Sequence, residues 1–126
     1  MKTLLGILMV MVPSIFLDLS EDIALAIRSG NANSVSAYFA DKVDMKVLDQ
    51  ENIYSKAQAE SILKDFFTKH PVKAFTVVHK SAERNDSQFA IGKLTTANGI
   101  YRVHFLMKKS GGSASIHQFR IETSDE

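Results

Sequence analysis

The chain contains no cysteine, no tryptophan and only two prolines in 126 residues. Without a thiol there is no disulfide framework, no cysteine nucleophile and no thiolate zinc site. Nor is there a cysteine to carry a lipid anchor at a leader junction. A surplus of charge is missing as well. Fifteen Lys and Arg stand against fourteen Asp and Glu, a net charge of +1, with no clustered basic run. That balance gives no electrostatic case for nucleic acid. No H-x-H or H-E-x-x-H spacing occurs, so no metal is expected. Gly111-Gly112 has neither a Lys-Ser/Thr end nor a helix after it, so it is no phosphate loop. No serine sits in a nucleophile elbow, and no cofactor is expected.

What is present is an ordinary globular composition, 45% hydrophobic and 23% charged, at a length that suits one domain. The averages conceal a leader. Residues 1–17 hold one base, Lys2, and no acid, and the stretch from Leu4 to Leu17 is broken only by Gly6, Pro13 and Ser14. A charged start followed by a short apolar run is the layout of a secretory signal peptide. The run is shorter than the roughly 20 apolar residues that span a bilayer comfortably. The reading is export, to the periplasm or beyond, with a cut between Ser14 and Ser20. The alternative is a chain anchored to the membrane by an uncleaved leader. Ala24-Leu25-Ala26 also fits the small-residue cleavage pattern, but a cut there would remove half of a helix.

Residues 18–126 are expected to form one domain of zero net charge. Its charges are unevenly placed, with −4 over residues 18–55, +7 over 56–120 and −3 over 121–126. Leu19, Ile23 and Ile27 recur at helical spacing, with Ser20 as a cap, and Gly30 stops the helix. Asn33 is expected to cap a second short helix with Val35, Tyr38 and Phe39 on one face. Val43, Met45 and Val47 alternate as a strand, a polar turn over residues 49–52 follows, and Ile53-Tyr54 returns. Ser55 and Gln58 form a capping box ahead of a helix whose stripe is Ala59, Ile62, Leu63, Phe66 and Phe67. Pro71 ends that helix. Alternating strands then run to about Thr123, turned at Asn85-Asp86, Asn98-Gly99 and Gly111-Gly112, with Gly92 hinting at a bulge. Helices grouped before an antiparallel sheet mean an α+β fold in the order α-α-β-β-α-β-β-β-β. The helices should pack on a curved antiparallel sheet as a cone-shaped roll.

That order resembles the nuclear-transport-factor-2-like superfamily of cystatin-like cones. Several strings are more narrowly similar to an exported bacterial family, mainly of Bacteroidota, known as domain of unknown function 4783. They are residues 27–32, residues 54–60 running on to Leu63-Lys64-Asp65-Phe66-Phe67, residues 89–92, residues 101–106 and residues 118–122. The resemblance implies export and the cone fold, but no reaction. Isomerases and dehydratases of the superfamily use pocket Asp, Tyr or His, and no such arrangement matches here residue by residue. The resemblance also favours a homodimer through the sheet face.

The candidate residues follow from the alternation. His79 shares a face with Phe75 and Val77, and His117 with Phe119 and Ile121, so both are expected to face into the cone. An inward imidazole can act as a base or hold an anion. A satisfied, half-buried strand residue is the plainer reading of each. Tyr38, Tyr54 and Tyr101 suit a core rim or a pocket wall. Arg102, Gln118 and Arg120 form a polar stripe for an interface. His104 is expected outward beside Arg102, His70 sits at a helix end, and Asp44 is read as solvent-exposed. The first functional reading is a non-catalytic binding domain, taking a small apolar or amphipathic ligand in the cone or a protein partner on the sheet. The second is a small isomerase or dehydratase using a pocket His with Tyr or Asp. The third is a purely structural interaction module. An open or a filled cone interior separates them.

Overall fold

Two helices, a hairpin, a third helix and four more strands follow one another in the computed structural model, which describes residues 15–124. They are α1 (Ile15–Ser29), α2 (Ala32–Ser36), β1 (Phe39–Val47), β2 (Gln50–Ser55) and α3 (Lys56–Lys69). Then come β3 (Val72–Lys80), β4 (Ser87–Thr96), β5 (Gly99–Ser110) and β6 (Ser113–Thr123). The order is the one expected. Of the leader, residues 1–14 lie outside the described residues, and 15–17 are the first turn of α1.

Local chemistry accounts for most element ends, and in places corrects the sequence reading. Ser20 is not a cap: it lies inside α1, 1% exposed, because the helix already runs from Ile15. Gly30 does stop α1, in the left-handed conformation at φ +68°, and its N–H donates to the Ile27 carbonyl at 3.0 Å. The cap of α2 is Asn31 rather than Asn33. Asn31 is extended, and its Oδ1 accepts from the backbone N–H groups of Asn33 and Ser34 at 2.9 and 3.2 Å. Asn33 instead donates its side-chain amide to Glu60 at 3.2 Å. Phe39 begins β1 instead of extending α2, since α2 ends at Ser36. The first hairpin turns on Leu48-Asp49, one step before the polar run, with Leu48 at φ 56°. Ser55 caps α3 with both halves of the capping box, Gln58 N–H to Ser55 Oγ at 3.2 Å and Ser55 N–H to Gln58 Oε1 at 3.1 Å.

The six strands form one sheet in the order β2-β1-β6-β5-β4-β3. Every pairing is antiparallel except β1 with β6, which is parallel, so the sheet is mixed rather than wholly antiparallel. Strand periodicity reports which residues face inward, not which distant strand lies alongside, so this neighbour was not readable. The three helices cover one face of the sheet. There α1 supplies Ile23 and Ile27, α3 supplies Leu63, Phe66 and Phe67, and the strands supply Val43, Met45, Leu94, Val103, Phe105, Phe119 and Ile121. The other face is left to solvent.

Candidate functional site

The interior of the cone is packed with hydrocarbon. Phe105, Phe119, Ile23, Ile27, Met45, Leu63, Leu94, Met107, Ile116, Ile121 and Val35 are fully buried there, with Phe39 edge-on to Phe119 at 5.6 Å between ring centroids. The buried polar residues among the described residues are Ser20, Ser36 and Thr96. Among the described residues, no Asp, Glu, His, Lys or Arg is buried.

Neither histidine expected to face inward does so, and each is displaced by a β-bulge. In β3, Val77 pairs with Gly92 and His79 pairs with the next residue, Ile91, so Val78 is the extra residue. The alternation slips by one, and His79 emerges exposed on the outer face, 5.7 Å from the Phe89 ring. In β6 the pairing jumps from Leu106–Gln118 to Met107–Ile116, which makes His117 the extra residue. Ile116 takes the inward position. The His117 ring is half-buried with Nε2 3.3 Å from Ser115 Oγ, and burial and the nearby Lys108 lower its pKa.

The three tyrosines do not converge either. Tyr38 is half-buried where α2 meets β1, and its carbonyl accepts from Ile116 N–H at 2.7 Å. Tyr54, on β2, lines a shallow groove of about 420 Å³ with Ala57, Gln58, Ser61 and Ile62. Tyr101 is buried, its ring edge-on to Phe66 at 5.3 Å and its hydroxyl 3.2 Å from His70 Nδ1. His70 stacks on Phe66 at 4.5 Å and lies 2.8 Å from Asn98 Oδ1. This is a tight polar clamp on the end of α3. Among the described residues no three His, Asp or Glu gather as metal ligands.

The polar groups collect on the outer sheet face instead. Arg120, on β6, reaches Glu51 Oε2 at 3.2 Å and Asp44 Oδ1 at 3.8 Å, and Gln118 donates to Asp44 at 3.5 Å. Lys46 holds Glu122 at 3.1 Å, and that hydrogen bond keeps the Glu122 carboxyl below its usual pKa. Asp44 is therefore outward, as expected, and partnered. His104 is outward too, half-buried and stacked on Phe89 at 5.2 Å. Burial first, and then Arg120, lower its pKa, and its Nδ1 is buried without a hydrogen-bond partner in the structure.

Sequence reasoning placed Arg102, Gln118 and Arg120 on this face but missed its other half. There Lys93 lies directly opposite Arg102, beside exposed Val78 and Ile100 and half-buried Ile91. The cause is the turn. Ala97-Asn98 turns the chain, so Thr96 pairs with Gly99 and Lys93 with Arg102. A turn on Asn98-Gly99 would have set Lys93 against His104.

Residues 20–122 match the family described as "Domain of unknown function (DUF4783)". Among solved structures, a DUF4783 family protein from Bacteroides uniformis is 37% identical, with a TM-score of 0.78 over 84% of this chain and 97% of its own. A DUF4783 family protein from Bacteroides ovatus is 34% identical, with a TM-score of 0.78 over 83% of this chain and 94% of its own. An NTF2-like protein from Cytophaga hutchinsonii shares the fold at 12% identity, with a TM-score of 0.64 over 87% of this chain and 96% of its own. None of the curated proteins matches the chain.

Proposed function

The chain belongs to the DUF4783 family, whose fold is that of the NTF2-like cones, and we propose that it is an exported, non-catalytic binding domain that engages a protein partner on the outer face of its sheet. The packed interior carries this reading. A ligand or a reaction inside the cone needs space and convergent polar groups. Here the space holds Phe105, Phe119 and their neighbours, and the histidines lie outside it. The outer face offers what an interface uses: Ile53, 65% exposed, with Leu106, Phe89 and Ile91 among the charged residues of β1, β5 and β6. Export is supported by the leader composition. Among the described residues no helix is long and apolar enough to cross a membrane.

A second copy of the chain is the first partner to test, since Arg102, Gln118 and Arg120 share one face and an isologous contact would meet itself there. Sedimentation equilibrium on the purified protein, beside Leu106→Glu, tests it. The expected result is a reversible wild-type dimer and a folded, monomeric variant. A wild type that stays monomeric at every concentration removes the second copy as partner. No observation favours an isomerase or dehydratase.

A further inference from the structure

The outer face divides into two unlike halves. On β1, β2 and β6 the charges are satisfied internally, Arg120 by Asp44 and Glu51 and Lys46 by Glu122. On the neighbouring strands, Lys93 of β4 and Arg102 of β5 have no such hydrogen-bonded partner. Lys93 and Arg102 are cross-strand neighbours of like sign, an arrangement that costs stability unless an anion lies between them. Among the described residues neither side chain makes a hydrogen bond or a salt bridge. Arg102 has Glu122 opposite it on β6 and attracts that carboxylate through space, but the carboxylate's hydrogen bond is to Lys46.

The two cations border an open depression of about 530 Å³ whose walls include Val78, His79, Ile91 and Ile100. Val78 is 63% exposed and Ile100 45%, high values for large hydrocarbon side chains. The bulge in β3 creates the feature, because it leaves Val78 unpaired and turns His79 to this side. Cations beside bare hydrocarbon match a molecule with an anionic head and an apolar stem. A volume of this size suits a small molecule.

We infer that this depression binds a small amphipathic carboxylate, with its head between Lys93 and Arg102 and its stem along Val78, Ile91 and Ile100. The site shares the face of the proposed docking surface but does not depend on it, so either reading can fail alone. Octanoate is the probe, titrated into the purified protein at a concentration where it is monomeric and followed by amide chemical shifts. The expected shifts fall on Val78, His79, Ile91, Lys93, Ile100 and Arg102. Both parts of the ligand should matter, so 1-octanol and acetate should each bind at least about tenfold more weakly. Lys93→Gln with Arg102→Gln should weaken octanoate about tenfold, as two exposed ion pairs allow, with the fold intact because both side chains are at the surface. Equal binding of octanol, shifts elsewhere on the chain, or an indifferent double variant would overturn the assignment.

Discussion

Gly92 shows how far a single residue could be read. Its place in the second strand of the meander hints at a bulge, and it pairs with Val77, the residue next to the extra Val78. The partner was not readable. The Phe75 ring lies over Gly92, so a β-carbon there would overlap the ring and stand 2.9 Å from the Thr76 carbonyl. A buried ring held by the core cannot swing away. Gly92→Ala should therefore lower stability by about 1–3 kcal/mol, read as a lower urea midpoint. An unchanged midpoint would mean that Phe75 moves freely. His104 gives the second prediction at this scale. Its folded-state pKa is lowered from 6.5, so the unfolded chain takes up the proton first as pH falls. Stability from this group is complete above 6.5 and declines as pH drops from there to the folded-state pKa. His117 adds in the same direction. Urea midpoints should fall between pH 7.5 and 5.5, and His104→Phe should shrink that fall. An equal fall in the variant would assign the pH dependence elsewhere.

Among the elements, α3 was the most legible, because its start, stripe and stop all rest on contacts within a few residues. Removing the cap tests that account. Ser55→Ala should cost about 1 kcal/mol, since it leaves Gln58 N–H without its acceptor while the buried stripe stays in place. A loss near zero in the urea midpoint would show that α3 is held by packing alone. The strands were legible in number and order but not throughout in facing. Period-2 alternation carries the inward set correctly through Tyr101, Val103, Phe105 and Met107, where the ladder is regular. It fails beyond Val77 and at His117, where one extra residue shifts the alternation by one. Nothing local marks Val78 or His117 as unpaired, because a bulge depends on the partner strand's register. Both inward histidine assignments fail for that one reason.

For the whole molecule the same slip moves the proposed working surface from inside the cone to the outer sheet face. The interior is then a core and obeys core energetics: Phe105→Ala should cost about 3–5 kcal/mol, read as a large fall in the thermal midpoint. A small fall would mean loose packing and restore room for a ligand inside. Charge follows the same division. The near-neutral total was legible at once, whereas the satisfied and unsatisfied halves of the sheet needed the register of six strands. The claim that binding occurs on the outer face is tested most directly by site-specific photo-cross-linking in cells that produce the full chain. One cross-linker replaces Leu106, in the middle of the outer face, and another replaces Leu25, 59% exposed on α1. The account predicts a discrete adduct at Leu106, at twice the chain mass if the partner is a second copy, and none at Leu25. An adduct at Leu25 alone, or none at either position, would contradict it.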